Sequence, residues 1–158
     1  MDIVIQGLLV GIIATIGMDI WAAVAKHGLH LPTADWALVG RWFGHLPRGV
    51  FFHTAIVGSP KVSHELAIGW VAHYCTGMVY GAAYLSIVQL LISATPSLAF
   101  APVFGLVTLI APWLVLQPGM GARAFTSKMP HPGPIRLINL SMHGVFGTCL
   151  YIGWLLTR

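Results

Sequence analysis

The sequence predicts an all-α membrane protein that crosses a bilayer four times, with a short extra helix between the first and second spans. Of the 158 residues, 57% are hydrophobic and only 8% are charged. In a typical soluble domain about a quarter of the residues are charged. So few charges could not cover the surface of a soluble protein, whereas a surface that faces lipid needs no charged residues. The length suits a single domain over residues 1–158.

Four apolar stretches are long enough to span. A bilayer core about 30 Å thick is crossed by roughly 20 residues of α-helix. The predicted spans cover residues of about 3–25, 65–92, 98–116 and 135–156. The first stretch contains Ala23-Val24-Ala25, which resembles a signal-peptidase site. It begins with Asp2 instead of basic residues and is too long for a signal peptide, so we expect a retained helix.

Polar residues and prolines predict where the spans begin and end. Ser63 is the expected cap of the second helix, with Glu65 in its first turn. The third helix is expected to kink at Pro112-Trp113 and to end at Gln117-Pro118-Gly119. Pro134 is expected near the first position of the fourth helix.

Residues of about 33–46 predict a short helix that lies at the membrane interface. Thr33 is the expected N-cap. The stretch is too short to span, and it mixes tryptophans with charged side chains, which is typical of the headgroup region. An ordered aromatic loop is the alternative.

The basic residues predict the orientation. With four spans, the loop between helices one and two and the loop between helices three and four lie on the same side. The positive-inside rule therefore predicts that both loops are cytoplasmic and that both termini are outside. This topology, and not nucleic-acid binding, accounts for the net charge of +4. The loops hold Lys26, Arg41, Arg48, Lys61, Arg123, Lys128 and Arg136, and the other side holds only Arg158.

A weak internal repeat relates the two halves of the chain. Helices two and four share a histidine followed four residues later by glycine, which are His73 with Gly77 and His143 with Gly147. Helices one and three align on Gly11 and Gly105. The pattern predicts two helix pairs related by an axis along the membrane normal. Chance similarity between apolar helices is the alternative.

Three titratable residues lie at one predicted depth. Asp19, His73 and His143 each lie about seven or eight residues from the cytoplasmic end of a span, which is roughly 10–13 Å. Rows of small residues at four-residue steps accompany them, so we expect these side chains to face the bundle. Glu65 is expected at the cytoplasmic mouth of the site. Further expected lining residues are Thr15, Trp70, Tyr80, Trp113, Asn139 and Tyr151.

This set of side chains allows several chemistries. Asp19, His73 and His143 match a two-histidine, one-carboxylate site for a divalent metal. Histidine also relays protons near neutral pH, and two histidines can hold a haem iron. The alternative is structural, with each histidine bonded to a neighbouring helix and Asp19 as a counter-ion.

The leading functional hypothesis is a binding or transport module for a proton, a metal ion or a small solute. A redox or enzyme subunit that holds haem or metal is the second hypothesis, although the chain contains no recognised catalytic motif. A scaffold that docks through residues 36–52 is the third. Because four helices make a thin wall around a pathway, we expect a homodimer or a membrane-protein partner.

The chain resembles one protein family along its whole length. The resemblance rests on Gly40-Arg41-Trp42, the run Gly69-Trp70-Val71-Ala72-His73-Tyr74, Gln117-Pro118 with Gly121, and His143 with Gly147. These features resemble the bacterial inner-membrane family catalogued as domain of unknown function 2938. The resemblance implies a protein of the bacterial cytoplasmic membrane with periplasmic termini, and it implies no activity.

Overall fold

A computed structural model describes residues 2–158, and the regular secondary structure of this part is entirely helical. Four of its five main helices are long and apolar enough to cross a membrane, and each boundary lies within three residues of the predicted one. The extra helix between the first two is also present. The helices are α1 (Ile3–His27), α2 (Trp36–His45), α3 (Glu65–Leu91), α4 (Phe100–Gly119) and α5 (Pro132–Thr157).

The predicted N-cap of α2 is wrong by two residues. Asp35, and not Thr33, caps the helix, and its carboxylate accepts hydrogen bonds from the amides of Ala37 and Leu38 at 2.9 and 3.4 Å. A carboxylate suits this position better than a hydroxyl, because its negative charge also faces the positive end of the helix.

The predicted cap of α3 is also wrong. His64, and not Ser63, precedes the helix, in the left-handed region at φ 58° and with no side-chain cap. The Glu65 carboxylate accepts from the amide of Val62, which precedes the helix, at 3.3 Å. The same carboxylate is held by Arg41 at 2.9 Å, a contact from a distant part of the chain that local sequence cannot reveal.

The irregular part of α4 lies where proline predicts it. The helix is regular over Phe100–Val107 and forms a wide π-helical turn over Pro112–Leu116. Pro112 has no amide hydrogen and cannot continue the regular bonding pattern, so the turn widens. The last turn of α4 ends at Gly119, as the sequence predicts.

Two helix pairs form the bundle, α1 with α3 and α4 with α5. α1 also packs on α5 and so connects the two pairs. A Cβ on Gly11 of α1 would overlap the backbone of Gly77 in α3, and one on Gly105 of α4 would overlap the backbone of Gly147 in α5. Only glycine permits so close an approach of two backbones. These two contacts join the residues that the internal repeat aligns.

The two ends of the bundle differ. We call the end with residues 28–64 and 120–131 the loop end, and the end with residues 92–99 and both termini the turn end. At the loop end the two segments bond to each other, since the Ile56 amide donates to the Met120 carbonyl at 3.0 Å. At the turn end the Tyr84 ring lies 6.3 and 5.2 Å from the Phe100 and Phe104 rings and joins α3 to α4.

The glycine contact between α4 and α5 gives a stability prediction. Gly147→Val would place side-chain atoms on the backbone of Ala101 and Pro102, so we expect a lower free energy of unfolding by about 1–3 kcal/mol. Thermal unfolding in detergent measures this loss. Gly144→Val on the same helix is the matched control, because nothing lies within 4 Å of its added Cβ. Equal melting temperatures for the two variants would contradict the packing account.

A histidine-lined cavity between α3 and α4

A cavity of about 330 Å³ lies in the loop-end half of the bundle. α3 and α4 form its sides, α1 and α5 form its back, and α2 covers its loop end. This volume is in the range of small-molecule sites. Most of the wall is apolar or aromatic. The polar side chains on it are Thr15, His73, Thr76, Tyr80, Thr108 and His143.

His73 is oriented by a carboxylate. Its Nε2 lies 2.9 Å from Oδ1 of Asp19, and the Tyr74 hydroxyl donates to Oδ2 at 2.9 Å. A carboxylate can only accept, so Nε2 of His73 carries the hydrogen. The Nδ1 of neutral His73 is then an acceptor, and no described residue bonds to it.

Aromatic rings pack around His73. Trp36 of α2 lies 4.0 Å from the imidazole, centre to centre, and Trp70 lies 5.8 Å from it. Trp36 therefore makes α2 part of the site.

His143 is oriented by a hydroxyl. Its Nδ1 lies 2.7 Å from Oγ1 of Thr108, and that hydroxyl donates its own hydrogen to the Gly105 carbonyl at 2.6 Å. The hydrogen between the two side chains therefore belongs to His143 Nδ1, and Nε2 is the acceptor. Neither Nε2 of His143 nor Nδ1 of His73 is among the enclosed polar atoms without a partner, so both nitrogens remain accessible.

Glu65 was expected at the mouth of the site, and it instead pairs with Arg41 of α2. Its carboxylate makes a two-point ion pair with Arg41, with both N–O distances 2.9 Å, and it does not line the cavity. This hydrogen bond raises the pKa of the Arg41 guanidinium. Arg41 also donates to the carbonyls of Ile56, Val57 and Ser59. The pair fastens α2 and the following loop to the start of α3.

The structure brings together part of the predicted site. Thr15, Tyr80, His73 and His143 line the cavity, and Asp19 lies behind His73. The other predicted lining residues lie outside it. Trp70 lies beside His73, Trp113 packs on Phe125, Tyr151 packs on Trp154, and Asn139 is likewise absent from the wall.

The predicted metal set is not assembled. Among residues 2–158, no three histidine, cysteine, aspartate or glutamate side chains are close enough to hold a metal ion. Asp19 is bonded to His73 and Tyr74, and His143 uses Nδ1 on Thr108 instead. The two histidines share a cavity without sharing a carboxylate.

Sequence reasoning missed four side chains, on α2 and just after it, that belong to the wall. Trp36, Val39, Phe43 and Leu46 all line the cavity. Their spacing of three or four residues is the pattern of an apolar helix face, and it could have predicted packing on another helix instead of on lipid. Thr108 was also missed, because a lone threonine in an apolar helix gives no signal.

A chain of hydrogen bonds fastens α2 across the loop end of the cavity. His53 Nδ1 lies 3.1 Å from the Gly119 carbonyl, and His53 Nε2 lies 2.8 Å from Nδ1 of the buried His45. The carbonyl can only accept, so His53 donates to it and His45 donates to His53. This chain, which we call the histidine clamp, ties the end of α2 to the end of α4.

The fold and the cavity define a class of protein, a helical bundle with four potential membrane spans around an apolar pocket that holds two histidines. Within that class the chain belongs to the family described as "Protein of unknown function (DUF2938)", whose sequence model matches residues 8–157. The resemblance read from the sequence is thereby confirmed. No curated protein and no solved structure matches the chain.

The Asp19–His73 pair gives a spectroscopic prediction. Neutral His73 should carry its hydrogen on Nε2, and nitrogen NMR of histidine-labelled protein distinguishes this tautomer. Asp19→Asn can turn its amide NH₂ toward the ring, so we expect a mixture of tautomers in that variant. Asp35→Asn is the control, because Asp35 caps α2 and bonds to no histidine. An Nδ1–H form in the unaltered protein would contradict the assignment.

The histidine clamp gives a second prediction. His53→Leu removes both bonds, so amide hydrogen exchange should become faster in residues 36–45 and 117–121. Mass spectrometry of the exchanged protein in detergent measures this change. His27→Leu, at an exposed position, should leave both segments unchanged. Unchanged protection in His53→Leu would show that the clamp does not hold α2 in place.

Proposed function

We propose that the protein lies in the bacterial cytoplasmic membrane and that its cavity binds a small, mostly apolar molecule with a hydrogen-bond donor. Four apolar helices and the family membership support the membrane location. The excess of Lys and Arg at the loop end supports cytoplasmic loops and periplasmic termini. On this orientation the cavity lies in the cytoplasmic half of the bilayer.

The observation that carries this proposal is the pair of accessible acceptor nitrogens in an apolar wall. Nδ1 of His73 and Nε2 of His143 have no partner among residues 2–158, and apolar and aromatic side chains form most of the remaining surface. An apolar body would fit this wall about as well as it fits lipid, so a hydrogen bond must supply the preference for the cavity. An O–H or N–H group would satisfy a histidine nitrogen, whereas a ligand without a donor would leave it unpaired.

The bilayer is the proposed source of the ligand. α3 and α4 are joined by aromatic rings at the turn end, while the cavity separates them nearer the loop end. Exposed apolar side chains, such as Val103, Val107 and Ile110, cover the lipid side of α4. A molecule dissolved in the membrane would reach the cavity between the two helices without crossing the loop end.

The site would also handle a proton. His73 can take a proton at Nδ1 from a bound O–H group while it keeps its hydrogen bond to Asp19. The carboxylate and the Trp36 ring would stabilise the resulting imidazolium. His143 faces a neutral hydroxyl and would remain a neutral acceptor. Binding of the solute and movement of its proton therefore use one site.

A matched pair of probes tests the proposal. An alkylphenol should bind about tenfold more tightly than its methyl ether, because only the phenol has a donor. Calorimetry or quenching of tryptophan fluorescence in detergent measures both affinities, since Trp36 and Trp42 line the cavity. His73→Phe and His143→Phe should reduce the preference, and His131→Phe at an exposed loop position should keep it.

A further variant separates cavity binding from partition into detergent. Ala72 lines the cavity, so Ala72→Trp should fill it and abolish saturable binding of both probes. Equal affinities for phenol and ether, unaffected by either histidine variant, would overturn the proposal. So would binding that persists in Ala72→Trp.

A further inference from the structure

A second pocket, of about 570 Å³, lies at the turn end. It is formed by the start of α1, the last turns of α3 and α5, and the turn between α3 and α4. Its lining is rich in hydroxyl and amide groups, unlike that of the first cavity. The polar side chains on it are Gln6, Gln89, Ser93, Thr95, Thr157 and Arg158.

Gln6 is the buried polar group of this pocket. Its exposed fraction is 9%, although it lies in an apolar helix where a polar side chain is costly. Its Nε2 donates to the Thr157 hydroxyl at 3.3 Å, and that hydroxyl donates to the Gly153 carbonyl at 2.9 Å. The Oε1 atom has no partner in the described chain and is not enclosed, so it is an acceptor accessible from the pocket.

Arg158 gives the pocket a positive charge. Its guanidinium lies 5.2 Å from the centre of the Trp154 ring, an arrangement that orients the side chain. Among residues 2–158, no Asp or Glu side chain lines the pocket, and the Arg158 guanidinium makes no ion pair. Asp2, at the same end, caps α1, and its carboxylate accepts from the amides of Val4 and Ile5 at 2.8 and 3.2 Å. The charge of Arg158 is therefore available to an anion.

We propose that this pocket binds a phosphate ester whose alcohol carries its own hydrogen-bond donor. The phosphate would pair with Arg158 and with the serine and threonine hydroxyls. An O–H or N–H of the alcohol would donate to Oε1 of Gln6. Phosphoglycerol and phosphoethanolamine have such donors, whereas phosphocholine has none.

The position of the pocket favours a membrane phospholipid as the source. The ends of spanning helices lie at the level of the headgroups, and Trp154 is typical of that layer. Beside the pocket, Leu90, Leu91 and Leu156 are 64%, 78% and 71% exposed, and they give acyl chains a surface to contact. This inference does not depend on the ligand of the histidine-lined cavity, which lies in the other half of the bundle.

Lipid retention tests the proposal. Native mass spectrometry of the detergent-purified protein, given equal amounts of phosphatidylglycerol, phosphatidylethanolamine and phosphatidylcholine with identical acyl chains, counts the bound molecules. We expect about tenfold more of the first two than of phosphatidylcholine. Arg158→Gln should lower retention of all three, and Gln6→Leu should remove the discrimination against phosphatidylcholine. Arg48→Gln, at an exposed loop-end position, is the matched control and should change nothing.

A second experiment distinguishes a membrane phospholipid from a soluble phosphate ester as the ligand. Glycerol 3-phosphate at millimolar concentration is added to lipid-free protein, and thermal unfolding reports its binding. Stabilisation that depends on Arg158, without lipid retention, would support the phosphate-ester site and assign it to a soluble ester. Equal retention of all three lipids by the unaltered protein, or no effect of Arg158→Gln in either arm, would overturn the proposal. If Gln6→Leu does not fold, the retention of the three lipids by the unaltered protein and by Arg158→Gln decides between these outcomes.

Discussion

Direct contact between helix backbones at glycine is the constraint on which the rest of the structure depends. Gly11 meets Gly77 between α1 and α3, and Gly105 meets Gly147 between α4 and α5. In a bilayer, apolar side chains gain little by leaving lipid for each other, so close packing must supply the attraction. These contacts make two tight pairs. α1 and α5 join the pairs at the back, aromatic rings join α3 to α4 at the turn end, and the space left between the pairs is the histidine-lined cavity.

The polar groups of the bundle separate into those that are satisfied, those that are enclosed and those that a ligand can reach. Asp19 accepts from two side chains, and the Thr108 hydroxyl is bonded on both sides. Trp113 Nε1 and Gln117 Oε1 are buried with no partner among residues 2–158, and neither residue lines the cavity. An unpaired polar atom costs free energy in apolar surroundings. The reachable nitrogens of His73 and His143 are therefore where a donor group from outside would gain most.

The sequence predicts well how far along a helix each side chain lies, and it predicts poorly in which direction around the helix axis the side chain points. The spans and the common depth of Asp19, His73 and His143 follow from hydropathy and from 1.5 Å of rise per residue. Contact also depends on the angle around each helix axis, which changes by about 100° per residue, so a small shift of register turns a side chain away. His73 reaches Asp19, while His143 reaches Thr108. The ion pair of Glu65 with Arg41 joins residues 24 positions apart, and no local pattern predicts it. The two predicted caps were wrong for a local reason, because Thr33 and Asp35 both suit an N-cap and because His64 follows Ser63 in the left-handed region.

The two histidines that the predicted repeat aligns have different partners. Aligning Gly11 with Gly105 places Asp19 opposite Trp113, so the second half has no carboxylate where the first half has one. His143 turns to the Thr108 hydroxyl instead. The inserted α2 increases the asymmetry, because it stacks Trp36 on His73 and not on His143. His73 is therefore held by a carboxylate and lies beside an indole, whereas His143 is held by a neutral hydroxyl. The asymmetry between the two halves of the bundle thus lies in the partners of the two histidines.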